Sequence, residues 1–314
     1  MPMAVGIYFG DDLGHYGFGH SHPFGSDRIH AFWEQTVKEG LDKKVRIGTP
    51  VSAQQSQIAR FHTAEYIDRV IKQSVNGEGH LDCGDTPAFK GVFEATSFVV
   101  GSDLDALNVI MSGKTPRIFV PIAGLHHARR DSAAGFCVFN DAGVLIETLR
   151  AEFGVQRVAY VDIDAHHGDG VFYAFEEDPD LIFADIHEDG QYLYPGTGFA
   201  HETGKGKAAG TKLNIPMAPG SDDEAFHQVW PQLEEFVRTA KPEIILLQAG
   251  ADSIKDDPIT HMCFSPKAHA HATRQLCKIA DEFCDGRLLA MGGGGYNRRN
   301  LALAWNAVVR VMLE

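Results

Sequence analysis

The sequence predicts an α/β protein built on a mostly parallel sheet with helices packed on both faces, a three-layer arrangement. Three observations lead there. Short apolar runs rich in β-branched residues recur along the chain, segments of helical period lie between them, and no low-complexity linker or fixed-period repeat breaks the alternation. At 314 residues, 44% of them hydrophobic, the chain can bury a large core. One domain over residues 1–314 is the simplest account.

In chain order, the apolar run at 4–9 reads as the first strand, followed by helices over 26–38, 64–75 and 88–110, where apolar residues return every three or four positions. A strand at 117–122 and a helix at 141–153 come next, then strands at 158–163 and 181–186, whose near-continuous apolar character fits burial on both faces. A helix over 222–240, a strand at 244–248, a helix over 266–283, a strand at 288–291 and a helix over 298–313 complete the alternation.

Ligands of open α/β sheets bind beyond the carboxyl ends of the strands. Here four strand ends lead into polar segments: Gly124-Leu-His126-His127, Asp162-Ile-Asp164-Ala-His166-His167-Gly-Asp169, Gln248-Ala-Gly-Ala-Asp252 and Gly292-Gly-Gly-Gly-Tyr296. If Asp162, Asp164 and His166 continue an extended segment, they share one face at intervals of roughly 6 to 7 Å. Two carboxylates and an imidazole form a chelating comb, and Asp252 from a neighbouring strand end completes an Asp, His, Asp set that leaves a tetrahedral ion open to substrate. Zinc (Zn2+) is the default ion, with Fe2+, Co2+ or Mn2+ also suited because oxygen-rich sites discriminate weakly. The competing reading of the same residues is a turn with local side-chain caps.

His126 and His127 read either as a core and a surface histidine or as a catalytic pair, with Asp162 and Asp169 each available to orient one imidazole. Beside a metal, such a histidine can take a proton from attacking water. The glycine run before Tyr296 lets backbone approach a ligand closely and brings in a phenol suited to an oxyanion. A phosphate cradle is disfavoured, since no Lys-Ser/Thr follows the glycines.

The formal charge of −14 argues against nucleic acid as a partner and for cationic or neutral ones; it equally fits a solvated surface in a high-salt cytoplasm. Five cysteines without a C-x-x-C pair suggest reduced thiols, and the absence of a basic leader or long apolar run suggests a cytoplasmic protein with no membrane partner.

These stretches, with Phe61-His-Thr-x-Glu-Tyr66, Gly135-Phe-Cys-x-Phe-Asn140 and Tyr194-Pro-Gly-Thr-Gly198, resemble the zinc-dependent histone deacetylase family of the arginase-deacetylase fold, in particular bacterial acetylpolyamine amidohydrolases and acetoin-utilisation proteins. The resemblance implies an eight-stranded sheet and hydrolysis of an acetylated amine to acetate and free amine. It implies zinc on Asp164, His166 and Asp252, with His127 as general base and then acid, and His126 in electrostatic support. Asp162 would pair with His126 and Asp169 with His127, while Tyr296 would polarise the amide carbonyl. Phe136 and Tyr194, with Gly135 beside them, would wall the acyl-amine tunnel, and Asp82 would receive substrate N–H or ammonium groups at its rim. A structural K+ or Na+ would sit near Asp162, Asp164, His166, Asp185 and Ile186. Some bacterial relatives form a homodimer that narrows the tunnel mouth.

The chain departs from the family pattern at several places. Tyr194 stands where many relatives have Phe, adding a hydroxyl to the wall. Asp185 replaces a usual Ser at the cation site. The N-terminal motif reads His22-Pro-Phe-Gly-Ser26-Asp-Arg28 rather than His-Pro-x-x-Pro-x-Arg, after an unusual loop from Gly14 to His20. Ile259 occupies the place at which eukaryotic polyamine-selective relatives carry a gatekeeping Glu.

A narrow aromatic tunnel accepts unbranched alkylamines, which describes both acetylpolyamines and acetyl-lysine. The charge, and the absence of any basic tail or recruitment segment, favour small acetylated amines. A protein deacetylase and a non-catalytic acetyl-ligand binder are the alternatives. A binuclear manganese ureohydrolase on the same fold would need a second carboxylate cluster after Ala249, and none is found.

Overall fold

The computed structural model describes residues 5–19 and 22–314, so Ala4 of the first expected strand and His20 of the N-terminal loop lie outside the described residues. Eight strands run in chain order: β1 (Val5–Tyr8), β2 (Arg46–Gly48), β3 (Arg117–Val120), β4 (Val158–Asp162), β5 (Leu181–Glu188), β6 (Lys212–Met217), β7 (Ile244–Gln248) and β8 (Leu288–Met291). They form one sheet in the order β2-β1-β3-β8-β7-β4-β5-β6, every pairing parallel. The register sets Asp162 beside both Gln248 and Asp185, and Gln248 beside Met291. The carboxyl ends of the central strands therefore finish level, and the segments beyond them share one rim.

The longer helices follow the expected spans: α2 (Arg28–Lys38), α4 (Ala64–Asn76), α5 (Val92–Met111), α6 (Asp141–Phe153), α8 (Asp223–Ala240), α9 (Pro266–Phe283) and α10 (Arg298–Met312). Short helices α1 (Asp11–Gly14), α3 (Gln55–Ile58) and α7 (Asp169–Ala174) complete the set. Their ends carry local signals. The Asn140 side chain accepts the Gly143 N–H, Asn297 does the same for Arg299, and Ser265 caps α9 ahead of a proline at its first turn.

The sheet divides the core in two because successive strand side chains point to opposite faces. Val158, Tyr160, Ile244 and Leu246 pack with α4, α5 and α6; Ala159, Val161, Ile245 and Leu247 pack with α2, α8, α9 and α10. The strands that composition does not reveal are β2 and β6, the two sheet edges. They carry Arg46, Lys212, Asn214 and Pro216, residues an edge tolerates and a central strand does not. The helix expected from residue 88 begins at Val92, after Gly91 at φ +86°. No helix among the described residues is long and apolar enough to cross a membrane.

Candidate active site

The extended comb expected over Asp162, Asp164 and His166 is corrected by the structure. β4 ends at Asp162, and the chain turns there because Asp162 Oδ1 accepts the Asp164 N–H at 3.1 Å and Asp164 Oδ1 accepts the His166 N–H at 3.0 Å. Local caps and metal-ligand geometry are thus the same feature. The turn removes Asp162 from the cluster and gathers Asp164, His166 and Asp252, all buried, with donor atoms within 4.8 Å of one another.

Asp164 gives both oxygens to the scaffold and Asp252 one. Asp164 Oδ2 accepts from Gln248 Nε2 and the Gly294 N–H, both at 2.8 Å, and Asp252 Oδ1 accepts the Ala165 N–H at 2.9 Å. Asp164 Oδ1, which also accepts the His166 N–H, and Asp252 Oδ2 converge on His166 Nδ1 at 3.0 and 3.2 Å, and Asp252 Oδ2 has no aligned hydrogen bond despite complete burial. Donors of a tetrahedral zinc site with ligand distances near 2.0–2.2 Å stand about 3.3 Å apart, so the set fits a small borderline divalent cation. Among the described residues this is the one such group, and the second cluster a binuclear ureohydrolase needs is not found.

His126 and His127 are both buried, so neither is a surface histidine. His126 Nδ1 lies 2.8 Å from Asp162 Oδ2 and His127 Nδ1 lies 2.7 Å from Asp169 Oδ1; the two Nε2 atoms face each other at 3.1 Å. Asp162 and Asp169 each face one Nδ1 and so fix the orientation of its ring. Burial, then the neighbouring His126 ring, pushes His127 down to about 4, which leaves it neutral near pH 7. Tyr160 donates to Asp162 Oδ2 at 2.8 Å, and burial with Asp185 and Asp164 nearby holds the Asp162 carboxyl well above the usual range.

Tyr296 follows the glycine run and lines the same small cavity as His126, His127, Asp164 and His166. A Cβ at Gly294 would lie 2.0 Å from Asp252 Oδ2, and one at Gly293, at φ +65°, would lie 2.2 Å from Gln248 Nε2, so glycine is required where this loop crosses the ligands. Burial, followed by Asp252 and Asp164, holds the Tyr296 phenol well above its ordinary value, keeping it a proton donor.

Several positioning residues carry no signal in the motif reading. Arg28, fully buried, donates to the carbonyls of Gly295 and Gly293 and so holds the Tyr296 loop from beneath. Asp257 accepts the Tyr296 N–H at 2.9 Å, and Asp141 accepts the Leu125 N–H at 2.7 Å ahead of the histidine pair. Gln248, although inside a quoted motif, has no titratable chemistry to flag it. Arg28 ends the N-terminal motif, which is the only trace of it in the sequence.

Phe136 and Tyr194 each pack against a different residue of this group. The Phe136 ring meets Tyr296 edge-on at 5.9 Å, and the Tyr194 ring meets His127 at 5.2 Å. Gly135 lies between them, where a Cβ would come within 2.4 Å of His127 Cδ2 and 3.0 Å of Tyr194 Cε1. Phe136 itself takes φ +67°, fixed by the Thr86 hydroxyl accepting its N–H and the Tyr16 hydroxyl donating to its carbonyl.

The remaining expected positions are not brought to the cavity. Asp82 Oδ1 anchors its own loop, accepting the N–H groups of Gly84, Asp85 and Thr86 at 2.9 to 3.1 Å, while its other oxygen takes no part in these bonds. Burial, then Asp82 itself, pushes the adjacent Asp85 up to about 6. Ile259 is half-buried, its N–H donating to Asp257 Oδ1. Asp185 gives Oδ1 to His187 Nδ1 at 2.8 Å and Oδ2 to the Gly168 N–H at 2.9 Å; Ile186, buried on β5, sends its side chain into the core.

One consequence concerns acid stability. His62 accepts the Asn140 N–H through Nε2 at 2.8 Å, so its ring is neutral, and burial lowers it to about 3 despite the carbonyl of Arg130 beside Nδ1. A histidine held below its unfolded value contributes fully above about pH 6.5, and that contribution is lost as pH falls toward about 3. Chemical denaturation should show His62 alone removing about 2 kcal/mol between pH 7 and 5. His62→Gln, which keeps an acceptor, should flatten that slope; an unchanged slope rejects His62 as its source.

Level strand ends that carry a metal-ligand triad, two carboxylate-paired imidazoles and a buried phenol define a metal-dependent hydrolase of the arginase-deacetylase fold. The comparisons agree. The histone deacetylase domain family matches residues 22–312. The chain is 35% identical over 308 residues to the acetoin utilization protein AcuC of Bacillus subtilis, covering 95% of this chain and 79% of that one. It is 32% identical to the histone deacetylase clr6 of Schizosaccharomyces pombe, covering 96% and 75%, and 33% identical to a probable deacetylase of Archaeoglobus fulgidus, covering 94% and 82%. Among solved structures, the HDA15 HD domain superposes with a TM-score of 0.91 at 25% identity, covering 99% of this chain and 89% of that one. The chain belongs to the histone deacetylase family, and it is a deacetylase; the non-catalytic binder is set aside.

Proposed function

We propose that the protein is a zinc-dependent amidohydrolase that removes acetyl groups from small cationic amines such as acetylpolyamines. The observation that carries the reading is the convergence on one cavity of the Asp164 and His166 donors, the His126 and His127 pair and Tyr296. Asp164, His166 and Asp252 would hold the ion, which when bound supplies Lewis acidity and a more acidic water. His127, neutral near pH 7, takes the proton of the attacking water through Nε2 and returns it to the leaving amine, with Asp169 holding its Nδ1–H. His126, oriented by Asp162, sets its Nε2 3.1 Å from that of His127 and gives electrostatic support as charge develops on its neighbour. Tyr296 donates its phenolic hydrogen to the carbonyl oxygen as that oxygen gains charge.

Phe136, Gly135 and Tyr194 form the walls of a passage for an unbranched alkylamine. A net charge of −14, with Asp82 and Asp85 on one loop, favours a substrate bearing a distal ammonium. The site is read as taking K+ or Na+ near Asp162 and Asp185, two fully buried carboxylates paired across β4 and β5 whose charges a cation offsets. Its ligands would be these carboxylates with the main chain of Asp164, His166 and Ile186.

The second reading, a protein deacetylase acting on acetyl-lysine, is favoured by the likeness to a relative named for histones. Acetate release decides between them: kcat/KM for monoacetylated diamines and spermidines is expected to exceed that for acetyl-lysine peptides by tenfold or more. The reverse preference establishes the protein deacetylase, and no acetate from either class rejects both.

A further inference from the structure

Two buried imidazoles take no part in the scheme above. His187 on β5 and His167 between β4 and α7 both face residues 194–199, the segment that carries Tyr194. His187 Nε2 donates to the Gly198 carbonyl at 2.8 Å, and His167 Nδ1 lies 2.9 Å from the Thr197 hydroxyl. The two rings are 5.0 Å apart. Gly198 has φ +83°, and a Cβ there would lie 2.5 Å from His187 Nε2 and 2.6 Å from His167 Cγ. The loop backbone therefore rests directly on the two rings, an approach that only glycine permits.

Asp185 extends the contact inward. It holds the far side of the His187 ring through Oδ1 and accepts the Gly168 N–H through Oδ2, and Gly168 precedes Asp169, the partner of His127. On the outer side, Glu202 Oε2 accepts the N–H groups of Gly198 and Phe199 at 2.8 and 2.7 Å. Tyr194 itself is 44% exposed and packs its ring edge-on against His127. Its position in the wall follows from how firmly the backbone after it is held.

We propose that His167 and His187 are positioning residues that clamp segment 194–199, and that Asp185 couples this clamp to the loop carrying Asp169. The width of the passage beside Tyr194 is thereby set from the protein interior. The inference rests on the reading of Phe136 and Tyr194 as the walls of the substrate passage. It uses Asp185 as this chain has it, where a serine side chain is too short to make both bonds.

The test compares Thr197→Val and His187→Leu with His187→Gln, which retains a donor near the Nε2 position, all in the zinc-loaded full chain. Losing one anchoring hydrogen bond should speed hydrogen exchange at the Gly198 and Phe199 amides by about five- to tenfold in the first two variants. KM for the best acetylated amine should rise by a similar factor, with kcat within about twofold of wild type and bound zinc unchanged. His187→Gln should restore exchange and KM toward wild type. Unchanged exchange in both Thr197→Val and His187→Leu overturns the clamp, and so does a fall in kcat accompanied by loss of zinc, which would mark a general disturbance of the metal loop. A wild-type chain that releases acetate from no amine rejects the proposed function instead, while exchange still decides the clamp.

Discussion

Asp252→Ala is expected to purify without the active-site metal and to lose activity by roughly three orders of magnitude or more. The carboxylate is fully buried, its Oδ1 is committed to the Ala165 N–H, and its Oδ2 has no aligned hydrogen bond and lies 3.2 Å from His166 Nδ1, where a cation would meet both. Removing it leaves two donors, too few for a stable site with an open position. The same argument predicts a stability signature independent of turnover. A chelator should lower the melting temperature of the wild type, because bound metal stabilises the native state by mass action, and should leave that of the variant where it is. Metal content by elemental analysis, acetate release and thermal denaturation check the three statements; full activity in a chelated sample removes the metal from the mechanism.

Tyr296→Phe is expected to keep its metal and lower kcat by about 10²- to 10³-fold, the usual cost of one oxyanion donor. The substitution keeps the ring that packs edge-on with Phe24 and Phe136, and the main chain stays pinned by Asp257 and Arg28. Steady-state kinetics with parallel metal analysis make the comparison. A kcat equal to wild type would show that the phenol does not act in the rate-limiting step, and a loss of metal would show that it acts on the site's integrity instead.

Both substitutions fall on residues visible in the sequence as strand-end chemistry, and the reason is physical. Central parallel strands are buried on both faces, so β4, β7 and β8 stand out as apolar runs and the polar residues that follow them are conspicuous. Helices α6, α8, α9 and α10 are equally legible through their period and caps. The edges β2 and β6 are not, because an edge strand needs neither continuous apolarity nor every N–H, and Arg46, Lys212 and Pro216 make them look like loop.

By itself, then, the sequence determined the layered fold, the strand ends on which chemistry would gather and the residue types available there, since these depend on local periodicity and on the topology it imposes. What only the tertiary structure decided is which of those residues meet. Asp164 and His166 reach Asp252 because side-chain caps turn the chain after β4, not because the segment stays extended. Asp82 spends an oxygen on its own loop, and Asp185 turns to His187 and Gly168. Arg28 and Asp257 enter from segments distant in sequence to hold the Tyr296 loop. A carboxylate's partner is a matter of hydrogen-bond geometry across the fold, where distances of a few tenths of an ångström separate a metal ligand from a cap, and no spacing along the chain encodes them.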